Sequence, residues 1–143
     1  MAATIASRRI FEAFLDDDPS KALMHGPTFM GNPIGCAAAL ASLDLFEQEP
    51  RLDQVKAIET QLIKELEPAR ELPAVKDVRV CGSIGVIETT GLGDVNLLKK
   101  RFVEAGVWIR PFGNIIYTIP PYVIGQKDLT QITSAMVNLS KEL

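Results

Sequence analysis

Residues 25–33 read His25-Gly26-Pro27-Thr28-Phe29-Met30-Gly31-Asn32-Pro33, and an alanine-rich stretch follows at once. Glycine and proline bend and restrict the backbone here just before a helix must begin. Asn32 is a good N-cap, and Pro33 suits the first helical position because its missing N–H would have been unpaired anyway. A preset turn that offers a threonine hydroxyl and backbone amides near a helix start is one way to hold a phosphate or carboxylate. Thr28 is therefore the first candidate ligand contact. Turns of this composition also serve simply to connect elements, and spacing alone does not separate the two roles.

Hydrophobic spacing organises the rest of the 143-residue chain. Ile5, Ile10, Phe11, Phe14 and Leu15 predict a short amphipathic helix within residues 5–15, before the Asp16-Asp17-Asp18-Pro19 break. A helix from Pro33 to Phe46 carries small residues on most faces, as a helix buried between two layers of protein would. Leu52, Val55, Ile58, Leu62 and Leu66 form the stripe of a second helix, ended near Pro68. The period then changes from helical to alternating. Residues 78–81 and 84–89 read as a hairpin about Gly82-Ser83. Asp94 caps a helix over Val95–Ala105, with Gly106 at its C-terminal end. Residues 107–112 and 115–119 read as a second strand pair about Gly113-Asn114. Leu129, Ile132, Met136, Leu139 and Leu143 mark a terminal helix. The expected fold is therefore α+β, a mostly antiparallel four-stranded sheet with helices on one face. Its other face must be solvated or meet another domain.

This length supports one compact domain plus a short strap, and is too short for most two-domain enzymes. Hydrophobic residues at 47% and charged residues at 23% are ordinary for a soluble globular protein. No apolar run is long enough to cross a bilayer, and nothing at the N-terminus reads as a signal peptide. The formal net charge is −3, with basic residues scattered, so neither nucleic acid nor membrane is an expected partner. Cys36 and Cys81 are far apart and fit no metal or redox spacing, which suits reduced thiols in a cytoplasmic protein. His25, the single histidine, completes no metal-ligand pattern with them.

Arg110 is the only charge in Val107-Trp108-Ile109-Arg110-Pro111-Phe112. Strand alternation puts it on one face with Trp108 and Phe112. A guanidinium between two aromatics can stack on them and still offer its planar fork to a carboxylate. An arginine in such a place can also snorkel from the sheet or pair with a nearby acid. Tyr117 follows across the Gly113-Asn114 turn, where a tyrosine equally serves cross-strand packing.

Two of these segments carry a resemblance. Residues 25–33 resemble the His-x-x-Thr-Phe-x-Gly-Asn-Pro segment of class III pyridoxal-phosphate aminotransferases. Gly106–Tyr117 is similar to their C-terminal motif Gly-Val-x-Ile-Arg-Pro-Phe-Gly-x-x-Ile-Tyr. The Gly26-Pro27 pair looks specifically like the branch that works in biotin synthesis, in which 8-amino-7-oxononanoate accepts an amino group from S-adenosylmethionine. The resemblance extends from Ala3-Thr4-Ile5-Ala6 through the final helix but covers only about the last third of the family's length. It implies the small C-terminal domain of a fold-type I pyridoxal 5'-phosphate enzyme, homodimeric when complete. Residues 1–32 would then be a remnant of the large cofactor-binding domain with its crossover strap, and residues 33–143 the small domain.

The same resemblance implies roles residue by residue. Arg110 binds the substrate carboxylate and Tyr117 lines the same pocket. Pro27 and Thr28 reach the cofactor phosphate of the partner subunit, Gly26 contacts substrate, and His25 and Asn32 shape the turn. The lysine that forms the Schiff base lies, in the family, just upstream of the segment matching Ala2–Ser7. Lys21 sits in a polar loop and the remaining lysines in helix-surface or charged-turn positions, so none has the desolvation that a catalytic lysine needs. The 143 residues alone are thus expected to be inactive and to bind no cofactor. Two other readings stay open: a class III aminotransferase acting on another ω-amino acid, and a free-standing, non-catalytic α+β module.

Overall fold

The computed structural model describes residues 2–143, which divide into two compact units, one ending at Glu49 and one running from Pro50 to Leu143. The first unit holds helix α1 (Arg8–Glu12), a single 3₁₀ turn (Pro19–Lys21) and helix α2 (Pro33–Gln48). The α1 helix is shorter than its apolar spacing predicts. Ser7 precedes it without a side-chain cap, none of its residues is buried, and a helix this short gains little without packing. The α2 helix also contains no buried residue, although Asn32 caps it and Pro33 opens it as expected. Phe29, Ile34, Leu40 and Leu43 are each more than half exposed. The apolar residues of this unit thus build no core of their own.

In the second unit the order is helix α3 (Arg51–Leu66), a 3₁₀ turn (Glu67–Glu71), strands β1 (Val75–Cys81) and β2 (Ile84–Thr89), helix α4 (Val95–Glu104), strand β3 (Ile115–Thr118) and helix α5 (Gln126–Ser140). The sheet is antiparallel in the order β1-β2-β3. Gly82, the first residue of the two-residue hairpin loop, has φ +55°, a conformation that favours glycine. Glu59 on α3 accepts a 2.8 Å hydrogen bond from its amide, which ties the hairpin to the helix.

A core of α3, α4, α5 and the inner sheet face follows from two periodicities. Ile58, Leu62 and Leu66 recur every four residues along α3 and are buried, while Leu52, at the start of the expected stripe, is exposed. On the sheet, Gly85 and Ile87 of β2 and Ile116 and Thr118 of β3 point inward by strand alternation. Phe102 from α4 and Leu129 and Met136 from α5 complete the cluster. Each fully buried Leu, Phe or Met contributes on the order of 1.5–3 kcal/mol. A polar seam joins α3 to α5: Glu65 accepts from the Thr133 and Thr130 hydroxyls at 2.6 and 2.8 Å.

The sheet has three strands, not the four expected. Residues 107–112 join it only through Phe112, which exchanges hydrogen bonds of 3.0 and 2.9 Å with Ile115 across the Gly113-Asn114 turn. Pro111 accounts for the difference. Its ring holds φ near about −65°, far from the roughly −140° of an antiparallel strand, so the chain leaves the ladder after one pair. The outer sheet face carries Arg79, which pairs with Asp77 at 3.0 Å and with Glu88 at 2.6 Å. The Arg79 and Arg70 guanidiniums hold the Asp77 carboxyl below its ordinary value.

Close approach of α3 to β2 depends on Gly85. A Cβ there would meet Leu66 Cδ1 at 2.9 Å and Leu62 Cδ2 at 3.2 Å. Gly85→Ala should therefore lower unfolding stability by about 1–3 kcal/mol, the usual cost of overpacking, measurable by urea denaturation.

Candidate functional site

The turn before α2 is built by two successive hydrogen bonds. The Pro27 carbonyl accepts from the Met30 amide at 2.9 Å, and the Phe29 carbonyl accepts from the Asn32 amide at 3.1 Å. Gly31 has φ +67°, a left-handed conformation that a side chain would strain. Asn32 Oδ1 then accepts from the Gly35 amide at 3.0 Å. The amides of Thr28 and Phe29 and the Thr28 hydroxyl make no hydrogen bond to the described residues, and both residues are exposed. An exposed hydroxyl beside unbonded amides is a donor set that fits a phosphate. Gly26 has no heavy atom within 4 Å of the place a Cβ would occupy, so packing within the chain does not require glycine at this position.

In the second unit, residues 107–112 alternate without being a strand. Val107, Ile109 and Pro111 are buried, while Trp108, Arg110 and Phe112 are exposed. Trp108 at 79% and Phe112 at 75% exposure flank Arg110 in sequence on the outward side. The expected common face is thus present, carried by alternating anchors in the core instead of by ladder hydrogen bonds. Among the described residues no acid pairs with the Arg110 guanidinium. Tyr117, half-buried on β3, lies opposite Val86 of β2.

Arg110 and Tyr117 line one open depression of about 350 Å³, with Trp108 on its wall. Ile119, Pro120 and Ile132 also line it. Helical and strand spacing accounts for Ile132 and Ile119 as parts of α5 and the β3 region but gives none of the three a place in a site; the Pro120-Pro121 pair after β3 is the only local signal there. A cation beside a phenol and apolar walls suits a carboxylate carried on an aliphatic chain. The structure brings Arg110 and Tyr117 together in the second unit. Gly26, Pro27 and Thr28 are contiguous in the turn of the first.

No described lysine is placed for covalent chemistry. Every lysine is exposed, and Lys21 pairs with Asp16, whose carboxyl it holds below the ordinary value. Among the described residues no cluster of His, Cys, Asp or Glu could hold a metal ion, and no helix is long and apolar enough to cross a membrane.

The profile of the aminotransferase class-III family matches residues 1–139. The chain belongs to that family. Among curated proteins, the adenosylmethionine-8-amino-7-oxononanoate aminotransferase of Corynebacterium glutamicum is 43% identical over 135 residues, which cover 94% of this chain and 32% of that protein. The enzyme of the same name from Mycobacterium leprae is 41% identical, covering 98% and 32%. Among solved structures, that enzyme from Methanocaldococcus jannaschii superposes with a TM-score of 0.79 at 32% identity, covering 93% of this chain and 33% of the other. An amine transaminase from an uncultivated Pseudomonas species, solved in its PLP-bound internal aldimine form, gives 0.77 at 28% identity, covering 94% and 33%. The chain spans about a third of the length of the relatives it matches. Class III membership implies pyridoxal phosphate in the complete enzyme.

The alternating segment separates stability from function at adjacent residues. Ile109→Ala should cost about 2–5 kcal/mol as a buried truncation. Arg110→Ala, at an exposed and unpaired position, should stay within about 0.5 kcal/mol of the parent. Thermal or urea unfolding of the two variants checks this.

Proposed function

We propose that this chain is the C-terminal part of a pyridoxal-phosphate transaminase that converts 8-amino-7-oxononanoate to 7,8-diaminononanoate in biotin biosynthesis, with S-adenosylmethionine as amino donor. The observation that carries the reading is Arg110, exposed and without an acid partner among the described residues, beside Tyr117 in an apolar-walled depression. Arg110 would hold the carboxylate of the oxononanoate through a charge-assisted, bidentate contact, and Tyr117 would line the same pocket. The names of the similar enzymes support this substrate over other ω-amino acids. Fold alone does not discriminate, because the amine transaminase matches almost as well as the Methanocaldococcus jannaschii enzyme.

When bound, pyridoxal phosphate supplies the electron sink for amino transfer. The contribution of this chain is to bind and orient. Thr28, with Pro27 setting the turn, would donate to the cofactor phosphate in the partner subunit of a cytoplasmic homodimer. Gly26, which needs no side chain for its own packing, would leave room for substrate beside that phosphate. On this reading residues 1–32 belong with the large domain and its crossover strap, and residues 33–143 form the small domain. The exposed apolar residues of the first unit would be covered in that assembly.

Two experiments test the proposal. In the full-length enzyme, Arg110→Ala should raise the KM for 8-amino-7-oxononanoate by about 10- to 100-fold, the range of a lost charge-assisted hydrogen bond. An unchanged response to that substrate would remove the assigned role. Incubation of the 143-residue chain with pyridoxal phosphate, followed by borohydride reduction, should leave no stoichiometric lysine adduct. A specific adduct would show that a lysine of this chain can carry the cofactor, contrary to the proposal.

A further inference from the structure

The exposed Arg110 lacks the restraints that usually aim a binding residue. Among the described residues its backbone amide and carbonyl take part in no hydrogen bond. After the Phe112–Ile115 pair, ladder geometry would next join Arg110 to Tyr117, and that pair does not form. Its side chain likewise has no hydrogen-bond or ion-pair partner among the described residues. Left to itself, such a residue would sample several backbone basins, and ordering it on a ligand would cost affinity.

Two restraints remain, and they differ in kind. Ile109 and Pro111 are buried on either side, so Arg110 must turn outward between them. Any apolar pair of suitable size would supply that much. The proline adds a second restraint on Arg110 itself, since the Cδ of a proline clashes with the preceding residue in the helical region and leaves it extended. The side chain must still choose a rotamer, but it starts from one backbone orientation.

We propose that Pro111 is a positioning residue, which presets the backbone of Arg110 for a substrate carboxylate in place of the absent ladder. The inference rests on the proposed carboxylate role of Arg110 and adds the reason that role can be filled from an unpaired segment. Presetting matters because a residue ordered only on binding spends part of its interaction energy on that ordering and so binds more weakly.

The test is steady-state kinetics of the full-length transaminase carrying Pro111→Ala or Pro111→Val. Valine keeps apolar bulk at position 111 but lifts the ring's restraint, so Arg110 can leave its preset backbone, either for other basins or for the Tyr117 ladder pair that the ring prevents. Both variants should raise the KM for 8-amino-7-oxononanoate by roughly tenfold, with kcat at saturation and the KM for S-adenosylmethionine unchanged. Ile58→Val, a buried truncation on α3, should lower the unfolding midpoint and leave that KM unmoved. An unchanged KM in either folded Pro111 variant would overturn the proposal, as would an equal rise in Ile58→Val. Failure of both Pro111 variants to fold would make Pro111 a folding residue and overturn it equally. If Arg110→Ala also leaves the KM unchanged, the carboxylate assignment fails; if Arg110→Ala raises it and the Pro111 variants do not, only the positioning role fails.

Discussion

The second unit depends on one close approach, that of helix α3 to strand β2 at Gly85. With no side chain there, Leu62 and Leu66 settle directly on the sheet backbone. Those two leucines are fully buried and sit in one cluster with Ile87, Phe102 and Met136. The seam at Glu65 then ties α5 to α3, and α5 packs against α4. From α4 the chain turns at Gly106, φ +78°, into the segment that carries Arg110. Val107 and Ile109 anchor that segment in the same core, so the position of Arg110 descends from helix-to-sheet packing.

Segment 107–112 shows how a chain can present a polar group without a strand. Its alternation of buried and exposed residues is that of a half-buried strand. Yet, among the described residues, it pairs with the sheet only at Phe112. Alternation needs extended backbone, whereas a ladder also needs matching φ and register. Pro111 permits the first and prevents the second. The result is an arginine facing outward between two exposed aromatics, beside a tyrosine from the neighbouring strand.

Much of this was legible from spacing. The Gly82-Ser83 hairpin, the Asp94 cap and the stripe of α5 are local signals, and each appears close to where it was expected. Asn32 and Pro33 open α2 for the same reason: capping is decided within four residues. The strand count was not legible, because the alternation of 107–112 is genuine and only the proline's effect on pairing removes the fourth strand. Nor could spacing find Ile119, Pro120 and Ile132, which reach the depression from β3's exit and from α5 and become neighbours only on folding.

The sequence by itself determined the turn chemistry of residues 26–33, the secondary-structure periods, the outward face of Trp108, Arg110 and Phe112, and the family resemblance. These depend on local sterics, capping and alternation, which act over a few residues. Only the tertiary structure decided that the sheet of the described residues stops at three strands, that Arg110 meets no acid among them, and that Tyr117 shares its depression. Those are matters of which distant segments meet, and contact between them is set by packing across the core at Gly85, Ile109 and Ile116, beyond the reach of any local pattern.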